Sequence, residues 1–147
     1  MPSSLSDRYY AVLAGKTAGK AASAVEIVDS VLEAARESGA SDVHLIPTES
    51  GLDVLWRIDG VLHPIENLRA DVATNVVSRL KVLAGLLTYR SETPQEGRIQ
   101  SPGETDVEMR VSTFPTMFGE KAVVRLFAGS GQYQRFETLG LPADIQA

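Results

Sequence analysis

The chain has 147 residues, of which 44% are hydrophobic and 22% are charged, a composition typical of a globular domain with its own core. Its formal net charge of −5 argues against a nucleic-acid-binding protein, which normally carries a surplus of basic residues. It contains no cysteine, which excludes disulfides and thiolate metal sites, and no apolar run approaches the ~20 residues that span a bilayer. These features predict a soluble, intracellular protein.

The first element in chain order is a short helix, predicted over residues 7–14 with Ser6 or Asp7 as its cap. It leads into AGKTAGK at residues 14–20, which has some features of a phosphate-binding loop. Such a loop needs a glycine, four further residues and then Gly-Lys-Ser/Thr. Here Tyr10 occupies the place of the first glycine, and the second Gly-Lys pair is followed by alanine, which cannot hold Mg²⁺. The run is therefore interpreted as a small-residue linker.

A second helix is predicted by the sequence SAVE. The Ser23 side chain can accept a hydrogen bond from the backbone of Glu26, and the Glu26 carboxylate can accept one from the backbone of Ser23. Gly39 marks the end of this helix, because glycine adopts positive φ without strain. The apolar stripe expected to face the core is Val25, Val28, Val31, Leu32 and Ala35. The residues expected outside are Glu33, Arg36 and Glu37.

Residues 41–65 are predicted to form a three-stranded antiparallel meander. Asp59-Gly60 is a favoured pair for a two-residue type I′ hairpin, because both positions need positive φ. That turn would pair Ile58 with Val61, Trp56 with His63 and Val54 with Ile65. His63 is therefore interpreted as a partner of Trp56 at the edge of the core rather than a catalytic base, and His44 as a surface residue.

A further amphipathic helix is predicted over residues 69–84, followed by three more strands. Its core stripe is Val72, Val76, Leu80, Leu83 and Leu87, and its other face carries Arg69, Asp71, Asn75, Arg79 and Lys81. A short strand is expected at residues 98–100. In TDVEMRVSTF, the inward residues are Val107, Met109 and Val111, and the outward ones are Asp106, Glu108, Arg110 and Ser112. TMFGE predicts a hairpin into KAVVRLF, which is expected to be more fully buried. The element order predicts an α+β fold with a mostly antiparallel sheet and helices packed on it.

Six short motifs occur in the order and at nearly the spacing of one family. They are ASDVHLIP, WRIDGVL, RLKVLAGL, PQEGRI, EMRVSTFPTMFGEKAVVRLF and LGLP, spread over about residues 24–142. Together they resemble the domain that precedes the motor in type II secretion and type IV pilus assembly ATPases. That family usually has two basic residues shortly before the PQ pair, where this chain offers only Arg90.

The resemblance implies a PAS-like α+β domain at residues 23–130, preceded by an N-terminal segment or linker at residues 1–22. Residues 131–147 would begin a linker to a RecA-like ATPase domain, which would carry the phosphate loop. This chain would then hold no cofactor and be inactive alone, whereas the complete protein would hydrolyse ATP with Mg²⁺. The implied partners are the ATPase domains of the same and a neighbouring subunit in a hexamer, and platform proteins of the inner membrane, but no nucleic acid. The implied location is the bacterial cytoplasm, peripheral to the inner membrane.

In the family's hexamer, arginines of this domain approach nucleotide bound to a motor domain. The matching positions are Arg98 in EGRI, Arg110 in EMRVST and Arg125 in VVRLF, with Arg57 in WRIDG and Arg90 ranked lower. Arginine suits the task, because its planar fork bonds phosphate oxygens in pairs and stays charged. The alternative is that Asp106, Glu108 and Glu120 neutralise these arginines as surface ion pairs worth ~0–1 kcal/mol each.

Two rival functions remain open from the residues. The first is a free-standing PAS-like module that binds a small ligand between helix and sheet. The second is an independent enzyme, for which no carboxylate pair, activated nucleophile or metal-ligand set is visible. A reading frame that continues past Ala147 into a glycine-rich phosphate loop would favour the pre-motor domain, whereas a stop codon there would favour the module.

Overall fold

The computed structural model describes residues 4–100 and 108–127, which form three helices and six strands. The helices are α1 (Leu5–Thr17), α2 (Ala24–Glu37) and α3 (Ala70–Leu83). The strands are β1 (Asp42–Pro47), β2 (Gly51–Ile58), β3 (Val61–Arg69), β4 (Gln95–Gln100), β5 (Glu108–Thr116) and β6 (Gly119–Phe127). The tail from residue 128 onward, where the notable LGLP motif occurs, lies outside the described residues, as do Asp106 and Val107.

The strands form one sheet in the order β3-β2-β1-β6-β5-β4, and every neighbouring pair is antiparallel. Two three-stranded meanders are joined by the pairing of β1 with β6 at the centre. The predicted α+β fold, with helices packed on an antiparallel sheet, is therefore confirmed.

The core lies between the helices and one face of the sheet. Val43, Trp56 and Val124 on that face are fully buried at 0% exposure, and they belong to one cluster with the apolar residues of α2 and α3. Each large aliphatic side chain buried there contributes about 1.5–3 kcal/mol, far more than a surface ion pair. The fold therefore depends on this one-sided core.

Helix α1 is longer at both ends than predicted. Ser4, not Ser6 or Asp7, is its cap, and Ser4 and Asp7 form a reciprocal capping box with two hydrogen bonds of 3.1 Å. The helix continues to Thr17 and ends at Ala18, where φ is 50°. The interpretation of residues 14–20 as linker is therefore wrong for residues 14–17, which are helical.

Helix α2 has the predicted boundaries but a broader buried face. The Ser23–Glu26 capping box is present, and Gly39 has the expected positive φ of 78°. Val25 was expected in the core but is 43% exposed. Ile27 and Ala34 are buried instead, because α2 packs against α1 on one side and α3 on the other.

The β2–β3 hairpin turns at Asp59 and Gly60 with φ of 49° and 81°, as predicted. Ile58 pairs with Val61 and Trp56 pairs with His63, which confirms the first two predicted pairs. The third is wrong, since the register shifts and Val54 pairs with Glu66 rather than Ile65. The shift follows Pro64, which lacks the N–H needed for a regular ladder, and a bulge at proline is common.

Helix α3 confirms the predicted element but not the position of Lys81. That side chain was expected on the exposed face, yet Lys81 is 0% exposed. Its ammonium group lies 3.0 Å from a carboxylate oxygen of Glu120 and 2.7 Å from the carbonyl oxygen of Arg90, so partners from distant segments draw it into the protein.

The last three strands also differ from expectation. Strand β4 begins at Gln95, three residues before the predicted start. Strand β6 is central but not more fully buried: Ala122 and Val124 are buried on one face, while Arg125 is exposed on the other. In the described part of the chain the helices cover only one face of the sheet, which leaves the opposite face open.

Candidate functional site

The open face of the sheet carries a row of arginines, which the pairing register of three neighbouring strands places side by side. Arg98 of β4 pairs with Arg110 of β5, and Arg110 pairs with Arg125 of β6. Direct partners in an antiparallel pair lie on the same face. The structure therefore brings together all three higher-ranked arginines, which are named here the arginine row.

The arginine row is accessible to solvent. The side chains of Arg98, Arg110 and Arg125 are 56%, 48% and 64% exposed. The residues after Arg98 and Arg110 in their strands, Ile99 and Val111, are buried against the helices, because successive residues of a strand point to opposite faces. The core thus fixes the strands while the guanidinium groups remain outside.

The arginine row has carboxylate neighbours within the domain. Arg98 Nε lies 2.8 Å from Glu108, and Arg125 Nε donates a 3.0 Å hydrogen bond to Asp42. Arg110 lies 3.9 Å from Glu96 and 4.0 Å from Glu108. Local neutralisation is therefore part of the site.

The sequence identified only part of this set of carboxylates. Glu108 is confirmed as a neighbour of the arginines. The prediction that Glu120 neutralises one of these arginines is wrong, because its carboxylate pairs with Lys81 on the helix-covered side of the sheet. Asp106 lies outside the described residues. Asp42 and Glu96 were missed. Alternation places Asp42 on the outer face of β1, but only the pairing of β1 with β6 brings it to Arg125.

Asp42 is the most buried acidic group of the site. Its side chain is 7% exposed and accepts hydrogen bonds from Arg125 and from the hydroxyl of Ser41 at 2.8 Å. Burial acts to raise the pKa of Asp42, but the two hydrogen bonds and the positive charge of Arg125 outweigh it and leave the pKa below its usual range. Asp42 is thus held in its ionised form.

His44 lies next along the open face of β1 and is half-buried. The pKa of His44 is lowered mainly by burial, and the positive charges of Lys121, Arg57 and Arg125 lower it further. The negative charge of Asp42 acts in the opposite direction but does not outweigh them. The surface position predicted for His44 is therefore only partly correct. Among the described residues no group of three or more metal-ligating side chains is present.

The two lower-ranked arginines have different positions. Arg57 extends the row by register, since it pairs with Asp42, but its guanidinium donates a 2.9 Å hydrogen bond to the carbonyl of Gly60 in the hairpin turn. Arg90 lies in the loop before β4, where its carbonyl oxygen accepts from Lys81. The structure does not bring Arg90 into the arginine row.

Two shallow depressions of about 290 Å³ each lie along the arginine row. One is lined by Glu96, Arg110, Ser112, Phe114, Val123 and Arg125, and the other by Glu96, Gly97, Arg98 and Arg110. Arg110 and Glu96 line both. The guanidinium groups can bond an anion at this surface, but only in exchange for the carboxylate of Glu96, which lines both depressions.

Comparison with known proteins identifies the family. The family model described as "Type II/IV secretion system protein" matches residues 17–147. The chain belongs to this family. It is 42% identical to the type IV pilus assembly ATPase TfpB of Acinetobacter baylyi over 118 residues, 79% of this chain and 20% of that protein. It is 35% identical to the putative type II secretion system protein E of Escherichia coli over 124 residues, 84% of this chain and 25% of that protein.

Solved structures support the fold of this secretion-family chain. The DotB ATPase of Legionella pneumophila superimposes with a TM-score of 0.56 over 84% of this chain and 34% of DotB, at 18% identity. The pilus retraction motor PilT, solved with bound ADP, gives a TM-score of 0.50 over 81% of this chain and 33% of PilT, at 21% identity.

The chain spans between 14% and 25% of the length of the first curated relatives that it matches. Those relatives point to an N-terminal domain of a secretion or pilus ATPase. No helix in residues 4–100 and 108–127 is long and apolar enough to cross a membrane.

Proposed function

We propose that this chain is the pre-motor domain of a secretion or pilus assembly ATPase, and that its arginine row faces ATP and Mg²⁺ bound to the motor domain of a neighbouring subunit. The observation that carries the proposal is the register of Arg98, Arg110 and Arg125 on the open face of a domain from this family. The complete protein would work as a hexamer in the bacterial cytoplasm, against platform proteins of the inner membrane.

The existing ion pairs do not prevent this role. Arg98 and Arg110 are roughly half exposed, and exposed pairs contribute only ~0–1 kcal/mol, so Glu96 and Glu108 are exchangeable partners. Asp42 is buried and keeps its hydrogen bond to Arg125. A triphosphate offers more negative charge and pairs of oxygens that match the guanidinium fork. Glu96 and Glu108 would thus neutralise Arg98 and Arg110 until phosphate replaces them.

Exchange of partners provides a link between nucleotide and motion. When phosphate is present, guanidinium groups of the row would turn from Glu96 and Glu108 of their own domain to a ligand on another domain. The sheet would move with them, because its strands are fixed by the core on the other face. Binding and hydrolysis would therefore change the position of this domain relative to the motor, in the manner of an arginine finger in trans.

The test is ATP turnover by the complete ATPase with Arg98→Ala, Arg110→Ala or Arg125→Ala. Loss of a donor that stabilises transition-state charge is expected to lower kcat by about 100-fold. The matched control is Arg69→Ala, since Arg69 is 81% exposed and forms a comparable 2.9 Å ion pair with Asp71 away from the row. Control-like turnover in all three row variants would overturn the proposal.

One observation favours the second function, a ligand-binding module. A cavity of about 240 Å³ lies between α3 and the sheet, lined by Pro47, Leu52, Ala73, Thr74, Val77, Ser91, Phe118, Gly119 and Glu120. Ligand pockets usually measure about 300–1,000 Å³, so the cavity is small for this purpose. Saturable binding of a small apolar compound, abolished by filling the cavity with Ala73→Leu, would support the module.

A further inference from the structure

Lys81 is a buried amine that connects its own helix to two other segments. It starts from α3, donates to the Arg90 carbonyl at 2.7 Å, and lies 3.0 Å from both carboxylate oxygens of Glu120 on β6. A buried ion pair adds little net stability compared with an apolar pair of the same shape. The same ammonium group also holds the loop that contains Arg90, through its hydrogen bond to the Arg90 carbonyl.

Gln95, the first residue of β4, binds the same loop from the other side. Its side-chain oxygen accepts from the backbone N–H of Leu87 at 2.9 Å. Its side-chain nitrogen donates to the carbonyls of Leu87 at 2.9 Å and Arg90 at 3.0 Å. The Arg90 carbonyl therefore accepts from both Lys81 and Gln95, which fastens the loop to α3 and to β4 at one point.

The start of the loop also lies directly on β4. A Cβ atom at Gly97 would approach the carbonyl oxygen of Ala84 to 2.5 Å and a methyl group of Leu86 to 2.7 Å. Only glycine allows so close an approach of backbone to backbone. The loop thus contacts β4 one residue before Arg98.

This contact matters because β4 is an edge strand. In the described part of the sheet its neighbour is β5 alone, so its other edge lacks a ladder. We propose that Lys81 and Gln95 form a clasp that holds residues 84–94 against β4 and thereby positions Arg98 in the arginine row. The role of the clasp in catalysis rests on the function proposed above, whereas its effect on the loop does not.

The first test is residue-resolved amide exchange of the 147-residue chain. Lys81→Met removes the ammonium, and Gln95→Glu keeps the acceptor for Leu87 but removes both donated hydrogen bonds. Gln95→Glu is expected to speed exchange of the Leu87 amide about tenfold, as loss of two hydrogen bonds implies, while core amides such as Val124 keep their protection. Lys81→Met is expected to speed exchange at Leu87 as well, but together with the core amides, because loss of one member of a buried pair also destabilises the whole fold. The control is Lys16→Met, which breaks a 2.9 Å pair with Glu33 on the surface.

Unchanged exchange at Leu87 in folded Gln95→Glu protein overturns the clasp, even where Lys81→Met fails to fold. Faster exchange confined to the loop supports it. In Gln95→Glu, faster exchange that is equal at Leu87 and Val124 means general destabilisation and also overturns the clasp.

The second test distinguishes positioning from simple stabilisation in the complete ATPase. Gln95→Glu is expected to lower kcat several-fold, and to lower it no further in an Arg98→Ala background, since it acts through Arg98. An undiminished effect in that background overturns the positioning role. If Arg98→Ala, Arg110→Ala and Arg125→Ala all leave kcat unchanged while loop exchange responds as expected, the proposed function fails and the effect of the clasp on the loop stands.

Discussion

At the scale of single residues, Asp42 shows how one buried carboxylate organises an exposed site. It lies between Arg57 and Arg125 by register, and its hydrogen bond fixes the guanidinium of Arg125 at the central strand pair. Half-exposed arginines are usually mobile, so a buried acceptor of fixed position limits the orientations that Arg125 samples. The proposed anion site therefore contains a fixed carboxylate of its own.

The pKa of Asp42 gives a prediction about acid stability. Because the folded-state pKa lies below the unfolded value, Asp42 stabilises the protein above the unfolded value of about 3.9, and this stability is lost as pH falls through the folded-state pKa. The wild type is thus expected to have a higher free energy of unfolding than Asp42→Asn at pH 6, and this difference is expected to shrink by pH 2.5.

Urea denaturation at several pH values measures this difference. Asp71→Asn is the control, since the Asp71 side chain is 64% exposed and its pair with Arg69 contributes at most ~1 kcal/mol. A wild-type excess over Asp42→Asn that stays constant through the acid range would show that the ionised carboxylate adds no stability.

At the scale of elements, most local signals predict the local structure correctly, although the cap of α1 is Ser4 rather than Ser6 or Asp7. The capping box of α2, the glycine that follows it and the Asp59-Gly60 turn all appear as expected, because each depends on residues within four positions of one another. The third pair of the β2–β3 register failed at the bulge near Pro64. The buried state of Lys81 could not be predicted, because Glu120 lies 39 residues away in sequence.

The α2 cap gives the element-scale prediction. Ser23→Ala removes the acceptor for the Glu26 N–H and is expected to lower the free energy of unfolding by about 1 kcal/mol, within the usual 0.5–2 kcal/mol for N-caps. Ser4→Ala is the matched variant on α1, whose single fully buried side chain among the described residues is Tyr9. Since α1 adds less to the core, Ser4→Ala is expected to have the smaller effect in thermal denaturation, and the reverse order would contradict this assignment of the core.

At the scale of the whole molecule, the site depends on two long-range pairings. The sequence predicted three strands on each side of α3 and placed Arg110 outward, but neither the β4–β5 nor the β1–β6 register follows from hairpin rules. The β1–β6 pairing brings Asp42 to Arg125 across 83 residues of sequence, and the β4–β5 pairing completes the arginine row. The residues of the row could therefore be proposed from sequence, whereas their alignment and their carboxylate partners required the fold.

The pair of Lys81 and Glu120 joins α3, which follows the first meander, to β6 of the second, so a double-mutant cycle tests how far the two halves depend on it. Loss of one member of a buried pair usually costs 3–5 kcal/mol, and Glu120 is 13% exposed, so Lys81→Met is expected to cost about 3 kcal/mol. Lys81→Met combined with Glu120→Leu is expected to recover most of that stability, because no buried charge is left unpaired.

Chemical denaturation of the wild type, the two single variants and the double variant measures the coupling between Lys81 and Glu120. The same cycle on Lys16 and Glu33, which are 34% and 37% exposed, should give less than about 1 kcal/mol. Equal coupling in the two cycles would mean that Lys81 contributes no more than a surface lysine, and that the halves are joined by the β1–β6 ladder and the core alone.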